Sequence, residues 1–244
     1  MHLSPQTFRE WIADRKKRIP VILMLIFIVF LESFIETYAG DRVFGPVIEA
    51  LSLSWLGSTV LVLSVQLNWL LVVLVTLVVI FWLAGRPRIY RSIIILFLTY
   101  ITAMLSVTVI ALFLNIFFRE GPNVGLTLLR DGGVVWILNV IVFTIWYWLL
   151  DSDNYDRRRS GFGRPLDFCF PQYSTVVKDY ENWRPNLFDY FFISFTTSAT
   201  FTPYSDTQVL SRRAKLLVSV DIFHSVVMVV IIAARALGVL SSGL

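Results

Sequence analysis

Asn186-Leu187-Phe188-Asp189-Tyr190-Phe191-Phe192-Ile193-Ser194-Phe195-Thr196-Thr197-Ser198-Ala199-Thr200-Phe201-Thr202-Pro203 is the stretch on which the fold turns. Asn186 is placed to cap a first helical turn. Asp189, three positions on, is placed to face the exposed N–H groups of that turn. Tyr190, Phe191, Phe192 and Phe195 follow, and then Thr196, Thr197, Ser198, Thr200 and Thr202 bring five hydroxyls into seven residues. Pro203 ends any helix. About 17 residues give roughly 25 Å of helix, short of a ~30 Å hydrocarbon core. A greasy, hydroxyl-rich half-span that stops at a breaker has the composition of a re-entrant segment. A bilayer tolerates such a segment only where protein or a wet cavity satisfies its backbone.

The rest of the chain supplies the membrane context. Of 244 residues, 57% are hydrophobic and 16% charged, against about 25% charged in ordinary soluble domains. Apolar runs at 20–38, 68–84, 92–118, 133–150 and 214–237 are each long enough to cross or nearly cross a bilayer. The predicted fold is all-α: a polytopic helical membrane protein of about five transmembrane helices plus a re-entrant, pore-like helix. Residues 1–19 read as a basic cytoplasmic segment, 20–150 as a four-helix transmembrane region, 151–185 as a polar connector, and 186–244 as the hairpin and last span. The 20–38 run is long for a secretory h-region and holds Glu32 and Glu36, so it reads as a retained anchor. Residues 51–67 are amphipathic, fit to lie at an interface or to extend the next helix. Residues 119–132, with glycine and proline, read as a loop. No internal repeat and no sustained period-2 pattern suggests a barrel.

Charge sets the expected orientation. Net charge is +4 and the isoelectric point about 9.3. The basic residues sit at span ends, so topology explains them better than nucleic acid does. With the N-terminus cytoplasmic, inner loops hold Arg15–Arg18, Arg86, Arg88, Arg91, Arg157–Arg159, Arg164, Arg212, Arg213 and Lys215. Outer loops hold only Arg42, Arg119 and Arg130. The bias favours five spans, a hairpin entering from the cytoplasmic side of the plasma (inner) membrane, and an outer C-terminus. A six-span alternative, in which 186–202 crosses fully, stays open.

Two resemblances reach these residues. Ser194-Phe195-Thr196-Thr197, Thr200 and Tyr204-Ser205-Asp206 resemble the pore helix and filter of two-helix potassium-channel modules. Pro203 and Ser205 stand where the filter glycines would, however, and proline forbids the φ > 0 geometry that such a filter uses. The longer resemblance runs through Trp146-Tyr147-Trp148-Leu149-Leu150-Asp151, Asp167-Phe168-Cys169-Phe170-Pro171-Gln172, Phe188-Asp189-Tyr190, Thr196-Thr197-Ser198-Ala199-Thr200-Phe201-Thr202-Pro203 and Ser211-Arg212-Arg213-Ala214-Lys215-Leu216-Leu217. These resemble a family of small bacterial integral membrane proteins whose C-terminal half is similar to a pore module without the filter. The resemblance implies a fold and a location and supplies no reaction.

The candidate chemistry lies at membrane depth. Asp221 and His224, at i and i+3, share a helix face that Ser225, Met228 and Ile232 continue and to which Arg235 returns. Such groups are costly in a membrane and face a partner or water. They read as a proton- or ion-linked pair beside the hairpin or, more plainly, as an Asp–His hydrogen bond pinning the last helix to it. Glu32 and Glu36 form a cation-attracting vestibule, pair with Arg235, or lie in the headgroup zone. Asn139 reads as interhelical glue. Thr196, Thr197, Ser198, Thr200 and Thr202 either line a path or bond carbonyls of their own helix.

No catalytic motif, phosphate-cradling glycine loop or metal-ligand spacing occurs. With one cysteine, Cys169, and two histidines, no cofactor and no metal is expected, and the chain does not read as an enzyme. Two functions stand: a channel-like protein permeating a small monovalent ion, as a homo-oligomer because one hairpin cannot enclose a path, or a non-conducting structural or partner-binding protein that keeps the pore-module fold. Its partners are the lipid bilayer, the ion and copies of itself; nucleic acid is not among them.

Overall fold

The structure is a computed structural model that describes residues 5–50, 54–118, 124–159, 166–173, 183–202 and 206–242. Its elements are α1 (Pro5–Ala50), α2 (Ser54–Leu83), α3 (Pro87–Phe118), α4 (Val124–Arg159), β1 (Phe168–Cys169), a 3₁₀ turn at Pro171–Tyr173, α5 (Leu187–Thr200), β2 (Gln208–Val209) and α6 (Arg212–Ser242). Among the described residues, four helical stretches are long and apolar enough to cross a membrane: Arg18–Tyr38, Pro87–Phe117, Leu126–Asp151 and Arg212–Ala234. A shorter apolar stretch, Trp69–Leu83, lies in α2. The fold is all-α and polytopic, and the protein is a multi-pass integral membrane protein. Leu23, Phe30, Leu96, Ile110, Phe223 and Val230 stand exposed on α1, α3 and α6. In water such surfaces would aggregate; in a bilayer they meet acyl chains.

α4 is the hub. Leu138, Val140, Ile141, Val142, Phe143, Thr144 and Ile145 are all buried, because α1, α3, α5 and α6 all pack against this helix. A helix buried on every side shows no amphipathic stripe, so the 133–150 run reads in sequence only as apolar. Two expected boundaries move. The 119–132 loop is shorter, since α4 already begins at Val124, and the helix continues past the apolar run to Arg159. A Cβ built at Gly132 would stand in ordinary contact, 3.5 Å from Ile232 Cγ1, so α4 and α6 pack against each other at this point. α1 likewise does not begin at Pro20 but runs from Pro5 through both Pro20 and Pro46. Each proline removes one helical N–H donor.

The ends of the helices sort by charge. The Arg18 guanidinium lies 5.4 Å from the Tyr90 ring centroid. Arg91 Nη2 donates to the Leu149 carbonyl at 3.1 Å, and Tyr190 OH donates to Asp151 Oδ2 at 2.8 Å. Arg213 holds Asp167 through Nη2 at 2.9 Å. One end of the bundle therefore gathers the start of the α1 span, the start of α3, the end of the α4 span and the starts of α5 and α6. Arg86, Arg88, Arg212 and Lys215 belong to the same end. At the opposite end Asn115 Nδ2, on α3, donates to the Val43 carbonyl of α1 at 2.6 Å.

Candidate functional site

α5 begins as its sequence dictates. Asn186, in extended conformation, accepts from Phe188 N at 2.7 Å and Asp189 N at 3.3 Å. Asp189 Oδ2 accepts from Asn186 N at 2.7 Å, which closes a capping box. The helix ends at Phe201, a left-handed C-cap at φ 59° whose N–H donates to the Thr197 carbonyl. A non-glycine residue there costs roughly 1 kcal/mol. Pro203 lies outside the described residues. Fourteen residues of α5 make about 21 Å of helix, against a ~30 Å core.

The depth of α5 follows from its contacts. Tyr190 meets Asp151 at the basic end. Ser194 Oγ donates to the Val140 carbonyl at 2.9 Å. Trp136 packs edge-on to Phe195, with centroids 5.8 Å apart, and donates from Nε1 to the Ser198 carbonyl at 3.4 Å. From Asp151 to Asn139 is about 18 Å along α4, so α5 runs antiparallel to α4 from the basic end toward the middle of the bundle. The chain beyond it is back at the basic end by β2. Phe168 pairs with Val209 and Cys169 with Gln208, antiparallel, and Leu210 N donates to the Asp167 carbonyl at 3.0 Å. Buried Asp167 secures this base. It accepts from Ser211 Oγ and from Arg213 Nε at 3.0 Å, while Ser211 Oγ caps α6 by accepting from Ala214 N.

At the inner end of α5 lies a polar centre inside an apolar bundle. Asp221, Asn139, Ser198 and Ser225 are fully buried, and His224 is 1% exposed. Asp221 Oδ1 accepts from Asn139 Nδ2 at 2.7 Å, from Ser198 Oγ at 2.8 Å and from Ser225 Oγ at 3.4 Å. Its Oδ2 accepts from Tyr147 OH at 2.8 Å. The carboxylate thus meets four uncharged donors from three helices. His224 does not bond Asp221 directly: Asn139 stands between them, its Oδ1 3.1 Å from His224 Nδ1. On its far side His224 Nε2 lies 2.9 Å from Ser106 Oγ of α3. The expected Asp–His pair is therefore a bridged pair: its face packs on α4, with Asp221 reaching α5 through Ser198 and His224 reaching α3 through Ser106.

The hydroxyl cluster divides. Thr196 donates to the Phe192 carbonyl at 2.7 Å, Thr200 to the Thr196 carbonyl at 2.7 Å, and Thr202 Oγ1 lies 3.2 Å from Thr200 Oγ1. Only Thr197 and Ser198 face the interior. Thr197 Oγ1 is buried and has no hydrogen-bond partner among the described residues. Glu32 and Glu36 are half-buried on α1, Glu36 Oε1 is buried without a partner, and no hydrogen bond among the described residues joins either to the Asp221 centre. The Arg235 side chain lies outside the described residues.

Asn139, Tyr147, Ser106 and Ser225 carry more of the site than their sequence positions suggest. Asn139 stood out as a lone amide in an apolar run. Tyr147 was masked by its tryptophan neighbours, which read as an interfacial belt. Ser106 gave no signal, because a helical serine ordinarily bonds its own helix. Comparison with family models, with curated proteins and with solved structures finds no match for this chain.

Proposed function

We propose that this protein permeates a small monovalent cation, the proton included, through a path that passes Asp221, with α5 as a re-entrant half-helix entering from the cytoplasmic face of the plasma membrane. The observation that carries the reading is the Asp221 carboxylate: fully buried at the depth where α5 stops, and bonded, among the described residues, by four uncharged groups and no cation. An uncompensated charge at membrane depth is expensive, and such residues mark ion and proton pathways. A visiting cation supplies the missing charge. Thr197, Ser198 and the end of α5 form its approach, and homo-oligomers supply the walls that one hairpin lacks. Purified protein in liposomes is expected to dissipate an imposed proton or alkali-cation gradient, and Asp221→Asn to lose at least nine-tenths of that rate. No flux of any monovalent cation across a range of pH and voltage would sink the reading.

One observation favours the non-conducting alternative. Thr196 and Thr200 bond carbonyls of their own helix, which is how hydroxyls pack in a dry helix pair. On that reading Asp221 serves only to dock α5, and the same liposomes stay tight.

The orientation has a separate test. The gathering of Arg86, Arg88, Arg91, Arg212, Arg213 and Lys215 at one end supports five spans with a cytoplasmic N-terminus. In a chain with Cys169→Ser, Arg88→Cys and Lys215→Cys are expected to resist an impermeant thiol reagent added to intact cells, while Tyr38→Cys reacts. The reverse pattern would turn the protein over.

A further inference from the structure

Asn139 fixes the protons of its neighbour. Its Nδ2 donates to the Asp221 carboxylate at 2.7 Å and lies 3.1 Å from Ser225 Oγ, so the amide cannot flip without turning its oxygen onto a carboxylate. Its Oδ1 therefore faces His224 Nδ1 as an acceptor, and Nδ1 must carry a hydrogen. A neutral His224 then has its lone pair on Nε2, pointing at Ser106 Oγ. Ser106 has one hydrogen and two acceptors within reach: His224 Nε2 at 2.9 Å and the Thr102 carbonyl at 2.8 Å.

We propose that His224 Nε2 is the proton-binding site of this protein, with Asn139 holding the ring in the receptive tautomer and the Ser106 hydroxyl as the hinge of the exchange. The proposal rests on the cation-permeation reading and names its ion as H⁺. With the ring neutral, Ser106 donates to Nε2. When a hydronium ion gives up its proton, Nε2 becomes an N–H donating to Ser106 Oγ, Ser106 turns its hydrogen to the Thr102 carbonyl, and one water is left. Every group keeps a partner in both states, and the added positive charge lies one amide away from Asp221. Among the described residues, no other charged group is hydrogen-bonded to the ring. α3 presents Ser106. α4 presents Asn139, Phe143 with ring centroids 6.0 Å apart, and Tyr147, whose hydroxyl is taken by Asp221. α5 reaches the centre through Ser198, and Asp221 lies on the ring's own helix.

The chain has two histidines, so His2→Gln leaves a single imidazole for ¹⁵N NMR of the full-length protein in lipid. The expected neutral spectrum shows hydrogen on Nδ1 and a bare Nε2, converting on acidification to a ring protonated on both nitrogens. Ser106→Ala removes the acceptor for the new N–H and is expected to move that conversion down by at least about one pH unit, a tenfold loss of proton affinity. Asn139→Leu is expected to return the neutral ring to the Nε2–H form. A neutral ring with hydrogen on Nε2 in the parent, or a Ser106→Ala midpoint equal to the parent's, overturns the site. The spectra are read without any flux. Tight liposomes with the expected spectra therefore overturn permeation and leave the site standing, whereas leaky liposomes with an Nε2–H ring do the reverse.

Discussion

Asp221→Leu is expected to destabilise the protein by about 3 kcal/mol, measured as a loss of cooperative unfolding in detergent and a marked fall in yield of folded protein. The substitution takes the carboxylate acceptor from Asn139 Nδ2, Ser198 Oγ and Tyr147 OH, which all donate to it and are all buried. An unsatisfied buried donor costs about 1–3 kcal/mol in water-soluble proteins, and interhelical hydrogen bonds within membranes average about 0.6. Three such losses at roughly 1 kcal/mol each set the figure. Asp221→Asn separates this architectural role from charge. Its amide oxygen can keep Asn139 and Ser198, while its NH₂ faces Tyr147, whose hydroxyl can turn and accept. Asp221→Asn is therefore expected to fold within about 1 kcal/mol of the parent while losing the proposed cation flux. Should Asp221→Leu unfold like the parent, the polar centre does not hold these helices together.

Asp167→Ala is expected to loosen the base of the hairpin. Asp167 is fully buried and holds Arg213 through both Nε at 3.0 Å and Nη2 at 2.9 Å, as well as Ser211 Oγ. Breaking a buried pair costs about 3–5 kcal/mol when the survivor stays buried. The Arg213 side chain is 40% exposed and recovers water, so roughly 2 kcal/mol is the expectation. β1 and β2 are two residues each, too short to keep register without this pair. The variant should therefore gain protease cleavage at 206–211 long before the transmembrane helices are touched. Arg213→Lys keeps the charge and loses the bidentate fork, and should fall between the two. An Asp167→Ala protein as protease-resistant as the parent would mean that the hairpin is held by the centre at Asp221 alone.

The two substitutions act at opposite ends of the same 21 Å of helix. The Asp221 centre fixes the tip of α5 among α4 and α6, and Asp167 fixes the chain on both sides of its mouth. Between them Tyr190 and Ser194 bond α4, and Phe168 and Phe170 each pack edge-on to Tyr190, with ring centroids 6.3 and 5.6 Å apart. Aromatic pairs of this kind add about 0.5–1.5 kcal/mol each beyond burial. The short helix α5 is thereby given a partner for nearly every polar group on its inner face. Thr197 Oγ1 is the exception.

The sequence by itself determined what depends on neighbours along one chain. Composition and run length made this a multi-pass membrane protein. Asn186 and Asp189 wrote the capping box, because a cap is a contact within one turn. The spacing of Asp221 and His224 put them on one face, because i and i+3 always share one. The direction of that face could be argued from cost alone, since a charge does not face lipid. Tertiary structure decided everything that joins one helix to another. Nothing in the run around Asn139 says that its amide would stand between Asp221 and His224, and nothing at Ser106 says that its hydroxyl would meet an imidazole 118 positions away. The fate of the five hydroxyls was equally hidden. Thr196 and Thr200 turn back to their own helix and Ser198 reaches across, a choice set by which side of α5 meets α4 and α6. The two-residue strands leave no periodic trace, since register needs more than two residues to show a pattern. Periodicity reports the face a residue occupies. Only packing reports what stands opposite that face, and in this protein the polar chemistry lies between helices.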